Sequence, residues 1–335
     1  MEENIKKILV INFGGIGDEI LFLPTLISLK KEFQDAKITL ALEPRSKGIT
    51  DLTDIIDETF LIDVKSKNKY KELLKLIFLA QKGNFDMVVS SGGNKFISIL
   101  LFLTGIKFCY GYNTGKLSEI LLTSAVQLNK NQYACDMYHD LITSITDIKT
   151  DLPEIKIETT TKEQNTILIH PGVSKLSVHM GMIKTIPAQN WSEVIDLLLE
   201  KGKKVILAGG PDDKECIETI RETLNNSKNE NFTDYYGKTK NLKDLANLIA
   251  SAEKFVCSDS APLHIAVALK TKTYAIFGPT DDKKLIPNSP NIIAIRHSDH
   301  CPLKPCLWDK RQTTCENLYC LDFSAVEIVD KILHD

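Results

Sequence analysis

Lys7-Ile8-Leu9-Val10-Ile11-Asn12-Phe13-Gly14-Gly15-Ile16-Gly17-Asp18 passes without a break from an aliphatic run to a glycine turn that ends on an acid. The run is short and rich in β-branched and aliphatic residues, the signature of a strand buried on both faces of a parallel sheet. After Asp18, Glu19 to Lys31 repeats apolar residues at spacings of three and four, which predicts a helix. Strand, glycine turn and helix make the first half of a βαβ unit. In such a unit the turn lies at the carboxyl end of the strand, where glycines admit a ligand and the helix amino terminus favours negative charge. Asp18 sits at that edge, and the local sequence leaves two readings open: a helix cap, or a carboxylate that does chemistry. The stretch has neither the G-x-G-x-x-G spacing of a dinucleotide fingerprint nor the G-K-[ST] ending of a P-loop.

The same alternation continues along the chain. Strands are expected at 37–42, 60–64, 85–90 and 108–112, with 49–56 a short helix or loop. Helices are expected at 68–81, with Leu73, Leu74, Ile77 and Phe78 on one face, and at 96–103, read as buried. The lysines of 68–81 read as a solvated face. Residues 150–165 are polar, contain Pro153 and lack apolar periodicity, which marks a linker. The pattern then restarts with Thr166-Ile167-Leu168-Ile169-His170-Pro171-Gly172. Strands follow at 204–208, 255–257 and 273–277, and helices at 191–200, 213–224, 242–251 and 262–269. Alternating strands and helices predict parallel, doubly wound sheets. The expected domains are 1–155 and 165–322, facing one another across a cleft, with 323–335 a terminal amphipathic helix returning to the first.

Composition bounds the possibilities. A chain of 335 residues with 43% hydrophobic and 25% charged residues has the make-up of a soluble globular protein with room for two cores. A net charge of −3 gives no general reason to expect nucleic acid. The amino-terminal MEENIKK lacks the order of a secretory signal, so the expected compartment is the cytoplasm, with peripheral contact to the inner membrane left open. In that reducing compartment the eight cysteines are not expected to form structural disulfides.

Four blocks, in order, resemble the ADP-heptose:lipopolysaccharide heptosyltransferase family. They are Gly14 to Asp18 with Leu23-Pro24; His170-Pro171-Gly172-Val173-Ser174 with Lys184 to Trp191; Leu207 to Pro211; and Asp259-Ser260-Ala261-Pro262-Leu263-His264 with Phe277-Gly278-Pro279-Thr280. The resemblance implies a GT-B fold, two Rossmann-like domains with the acceptor in the first and the nucleotide sugar in the second. It also implies an inverting transfer that needs no metal or other cofactor. By position, Asp18 matches the family's proposed catalytic base and Lys184 its lysine near the donor diphosphate. A sugar hydroxyl is a poor nucleophile, which a positioned base corrects, and a fixed ammonium favours the charge that gathers on the leaving phosphate. Gly14, Gly15 and Gly17 would admit the acceptor. Gly172, Ser174, Gly210, Asp259, Ser260, His264, Gly278 and Thr280 would line the donor site, Asp259 on its hydroxyls. This chain has Ala261 where many relatives have glycine, which bears on the shape of that turn.

The implied partners are an ADP-heptose-like nucleotide sugar and a saccharide or lipid-linked saccharide acceptor. Transfer to a protein, and a binding protein without catalysis, are the alternatives. Cys301, Cys306, Cys315 and Cys320 stand at C-x₄-C-x₈-C-x₄-C, looser than paired zinc knuckles, so a structural metal and packed reduced thiols are both open.

Overall fold

The computed structural model describes residues 5–158, 161–179, 181–297, 301, 304–306, 315 and 318–334. The chain divides into two compact units, Met1–Lys156 and Ile157–Asp335.

In the first unit, strands β1 (Lys7–Ile11), β2 (Lys37–Leu42), β3 (Glu58–Leu61), β4 (Met87–Ser90), β5 (Phe108–Tyr112) and β6 (Ser124–Val126) form one parallel sheet in the order β3-β2-β1-β4-β5-β6. Ile8, Leu9, Val10 and Ile11 are fully buried, as a central parallel strand covered on both faces requires. The order reverses between β1 and β4, which opens a crevice beyond their carboxyl ends. The Gly14 to Asp18 turn lies there.

The second unit repeats the plan. Strands β7 (Glu163–His170), β8 (Lys204–Leu207), β9 (Phe232–Asp234), β10 (Ala252–Ser258), β11 (Lys272–Phe277) and β12 (Ile292–Arg296) form a parallel sheet in the order β12-β11-β10-β7-β8-β9. Read from β9, this is the order of the first unit, and the reversal falls between β7 and β10. Pro171 and Asp259 follow those two strands.

Several elements differ from the sequence reading. The first helix is Ile16–Glu32, so Asp18 lies inside its first turn; Gly15, in extended backbone, is the residue that opens it. The helix Lys69–Gly83 buries Leu76 and Ala80, while Tyr70, Leu74 and Phe78 point to solvent, so its apolar face is turned from the one expected. The helix Ile97–Leu103 is not buried all round: Ile97, Leu100 and Leu101 enter the core, but Phe96, Ile99, Phe102 and Leu103 are exposed. The segment read as a linker is tied down at its start, where the Thr150 amide donates to Ser28 Oγ at 3.1 Å, and at its end, where Glu163 begins β7. The terminal helix Ala325–His334 packs into the core of the second unit. Its Ile328, Val329 and Ile332 share a core with Trp191, Ile195 and Leu199 of the helix Ala188–Glu200.

Candidate active site

In the first unit Asp18 folds back on its own turn. Its Oδ2 accepts the Gly15 amide at 2.7 Å, and the Tyr138 hydroxyl donates to Oδ1 at 3.4 Å. A carboxylate at the third helical position that bonds the capping residue's amide is half of a capping box; glycine, having no side chain, cannot supply the other half. Gly14 is fixed by this arrangement, because a β-carbon there would stand 2.3 Å from Asp18 Cβ. The Tyr138 ring meets Phe22 at 5.0 Å between centroids, which holds the phenol over the turn.

Charged groups surround Asp18. Arg45 Nη1 lies 3.5 Å from where a Gly15 β-carbon would be, and Arg45 Nε pairs with the buried Glu43 at 3.6 Å. Burial lowers the Lys65 ammonium below its ordinary range and Arg45 adds to the effect, while Glu43, Asp18 and Asp63 oppose it. Glu19 is fully buried. Its Oε2 accepts from Asn12 Nδ2 at 3.2 Å, and Oε1 has no partner among the described residues. Burial, reinforced by the Asp18 charge, pushes the Glu19 carboxyl well above the usual carboxylate range. The Ser91 hydroxyl donates to Asn12 Oδ1 at 2.8 Å, so the ends of β1 and β4 are joined through Asn12.

In the second unit Lys184 Nζ lies 3.0 Å from Asp259 Oδ2. Burial favours the neutral form of Asp259, but Lys184, His264 and Thr280 outweigh it and hold the carboxyl below its ordinary range. The segment that carries Lys184 is pinned from beneath. Trp191 Nε1 donates to Thr185 Oγ1 at 3.0 Å, and that hydroxyl donates to the Pro171 carbonyl at 2.8 Å. Ser258 Oγ stands 2.8 Å from the same carbonyl and 2.9 Å from Thr185 Oγ1. Both strand ends at the sheet's reversal are thereby tied to the lysine. Ser260 opens the helix Ala261–Leu269, whose free amides adjoin the Lys184–Asp259 pair. A cation, a buried carboxylate and helix amides together suit a polyhydroxylated phosphate ester.

Of the residues expected from sequence, Gly14, Gly15, Gly17 and Asp18 fall on one turn, and Lys184, Asp259, Ser260, His264 and Thr280 gather at the end of β10. Gly172 is nearby but serves packing: a β-carbon there would stand 1.7 Å from Asp213 Oδ1. Gly278 similarly faces Leu321, at 2.6 Å. Ser174 is exposed and bonds Ser177 at 3.0 Å, away from the Lys184–Asp259 pair's hydrogen bonds.

Sequence reasoning missed Arg45, Lys65, Tyr138 and the buried pair His170 and Asp213, 3.6 Å apart. Burial lowers the His170 imidazole and raises the Asp213 carboxyl, each against the pull of its partner. The Asp213 signal is visible in the chain. Gly209-Gly210-Pro211-Asp212-Asp213 repeats the G-G-x-x-D spacing of Gly14 to Asp18, and the Gly210 amide donates to Asp213 Oδ2 at 2.7 Å, as Gly15 does to Asp18.

None of the eight cysteines is in a disulfide, and among the described residues no three metal-ligating side chains converge. Burial raises the Cys320 thiol, with Lys304 opposing and Cys306, Cys301 and Cys315 adding to it.

Residues 75–315 match the model of glycosyltransferase family 9 (heptosyltransferase). Among curated proteins the chain is 28% identical over 297 residues to lipopolysaccharide heptosyltransferase 3 of Escherichia coli K12, covering 83% of this chain and 84% of that one. It is 24% identical over 304 residues to lipooligosaccharide heptosyltransferase 2 of Campylobacter jejuni, covering 90% and 88%. Among solved structures, the E. coli ADP-heptose lipopolysaccharide heptosyltransferase II superposes with a TM-score of 0.74 at 19% identity, over 97% of each chain, which establishes the GT-B fold.

Proposed function

Because the chain belongs to glycosyltransferase family 9, the heptosyltransferases, we propose that it transfers heptose, or a related sugar, from an ADP-sugar to a lipopolysaccharide or other cell-surface saccharide. The reaction inverts the anomeric centre and takes place in the cytoplasm. The observation that carries this reading is Lys184, held 3.0 Å from Asp259 beside the amino end of the helix Ala261–Leu269. There the ammonium meets the diphosphate, and it stabilises the leaving nucleotide more than the bound donor because negative charge grows as the glycosidic bond breaks. Asp259 and His264 orient the donor.

In the first unit Asp18 takes the proton of the acceptor hydroxyl as the new bond forms. Its turn keeps one oxygen on the Gly15 amide and leaves Oδ1 with the long Tyr138 contact, which an acceptor hydroxyl replaces. Arg45 and Lys65 beside it suit an acceptor that carries negative charge. The ADP and heptose assignments rest on the named relatives, and the two residue roles on their positions in this fold.

Asp18→Asn is expected to lower kcat by roughly 10²- to 10⁴-fold while leaving donor affinity within a few-fold. Full turnover by that variant removes Asp18 as the base. Isothermal titration with ADP-heptose against UDP- and GDP-sugars tests the donor; tight binding of only a non-adenine donor overturns the sugar nucleotide assignment and leaves the transferase reading in place.

A further inference from the structure

The two oxygens of Asp18 are not equivalent. Oδ2 faces the amino end of its own helix, where the Gly15 amide holds it at 2.7 Å, so a proton taken from a substrate goes to Oδ1. The partner of Oδ1 is the Tyr138 hydroxyl, at 3.4 Å. Tyr138 belongs to the helix Ala134–His139, whose six residues are too few to stand on helical propensity alone. Tethers hold it instead. Tyr112 Oη donates to the Met137 carbonyl at 2.8 Å, Lys149 Nζ pairs with Asp136 at 2.6 Å, and His139 Nε2 stands 3.0 Å from the Ile148 carbonyl. The helix packs along Ile16–Glu32, and there the buried Tyr138 ring rests on the fully buried Phe22, at 5.0 Å between centroids. Phe22 lies one turn beyond Asp18 on the same face, so a ring seated on Phe22 brings its hydroxyl to the carboxylate.

The phenol acts here as a donor. Burial pushes it well above its ordinary range and the Asp18 charge adds to the effect, so it keeps its proton and does not compete with Asp18 as a base. At 3.4 Å the bond is longer than the about 2.8 Å of a good O–H···O contact, so it yields to a better-placed hydroxyl. Asp18 is half-buried, and water reaches it as well as sugar does. Water and a saccharide hydroxyl are alike as nucleophiles toward an activated sugar. They differ in what else they bind: a saccharide brings contacts elsewhere, whose free energy can displace the phenol, and water brings none.

We propose that Tyr138 is a positioning residue that holds Asp18 Oδ1 until a saccharide hydroxyl displaces it, which withholds the base from water and spares the donor from hydrolysis. In the suppressed reaction a water oxygen bonds to the anomeric carbon and one of its protons passes to Asp18. The bond from that carbon to the diphosphate oxygen breaks, giving free sugar and nucleoside diphosphate. The inference rests on Asp18 as the base and deepens that reading: one phenol chooses between acceptor and solvent.

The test is ADP release from ADP-heptose by the full-length protein with no acceptor present. Tyr138→Phe keeps the ring on Phe22 and removes only the hydroxyl. It is expected to release ADP roughly threefold to tenfold faster than wild type, the worth of one modest hydrogen bond, with the donor KM unchanged. A residue that merely supported the fold would raise KM or slow the release, and would not speed it. Tyr138→Phe combined with Asp18→Asn should fall to the level of Asp18→Asn alone, because the excess hydrolysis uses the base. Release by Tyr138→Phe equal to or slower than wild type overturns the proposal, as does an excess that survives Asp18→Asn. Two other results strike the underlying reading and are told apart from these. Full transfer by Asp18→Asn removes the base, and no binding of ADP-heptose in titration removes the donor; either takes the proposal with it.

Discussion

Gly172 and Gly210 look interchangeable in the sequence and are not. An alanine methyl at 172 would meet the Asp213 carboxyl, which is buried and bonded to the Gly210 amide, so it must displace that carboxyl. Gly172→Ala is expected to cost about 1–3 kcal/mol. At Gly210 a β-carbon meets nothing closer than 3.8 Å, and the backbone has φ −99°. Gly210→Ala should melt within about 0.5 kcal/mol of wild type while losing donor affinity; unchanged affinity by titration would remove Gly210 from the donor site.

Glu19 adds a pH signature. Its folded pKa lies above its unfolded one, so the folded state binds more protons and stability falls as pH rises from the ordinary carboxylate range toward the raised value. Glu19→Gln keeps an acceptor for Asn12 and removes the ionisable group. Its melting temperature should gain on wild type as pH is raised from 5 to 8, and a constant difference across that window would mean Glu19 is ionised in the fold.

At the scale of elements, the strands most readily seen in the sequence are those covered on both faces. β1, β2 and β11, and residues 167–169 within β7, are nearly continuous apolar runs, because a central parallel strand has no solvent side. β6 and β9 have three residues each and lie at sheet edges, too short and too exposed to leave a pattern. β12 is another matter: Ile292-Ile293-Ala294-Ile295 carries the same aliphatic signal as β11, and the sequence reading places nothing there. The longer helices were legible, but the short Lys116–Leu121 and Ala134–His139 were not, and neither was helix facing. Leu73, Leu74, Ile77 and Phe78 satisfy helical periodicity, yet only contact with the sheet decides that Leu76 and Ala80 turn inward. The terminal helix offers a contrast in energetics. Ser324 and Glu327 form a capping box, the Glu327 amide donating to Ser324 Oγ at 3.3 Å and the Ser324 amide to Glu327 Oε2 at 2.9 Å. Ser324→Ala should cost about 1 kcal/mol; Ile328→Ala, emptying a fully buried position, about 2–5 kcal/mol. Denaturant melts that rank the two equally would contradict the packing described for this helix.

For the molecule as a whole, two units with separate cores make a single unfolding free energy an incomplete description. If the nucleotide binds the second unit, ADP at about a hundred times its Kd should raise that unit's unfolding free energy by about 2.7 kcal/mol and leave the first unit's unchanged. Calorimetry that shows the first transition moving instead would assign the nucleotide to the wrong half. The candidate residues Asp18 and Asp259 stand out in the sequence as acids just after a strand end, whereas Lys184 is reached only through the family resemblance of residues 184–191. The site was opaque where the chain reaches in from a distance: Tyr138 is 120 residues from Asp18, and no local pattern announces the contact.

The hydrogen bond from Trp191 to Thr185 has an optical consequence. The chain has two tryptophans, Trp191 and Trp308. Trp191 is fully buried, and its indole nitrogen is one hydroxyl removed from the backbone that presents Lys184. With Trp308→Phe as background, the remaining emission comes from a ring wired to the segment that carries Lys184, so its wavelength and lifetime report on the lysine's strap without any attached label.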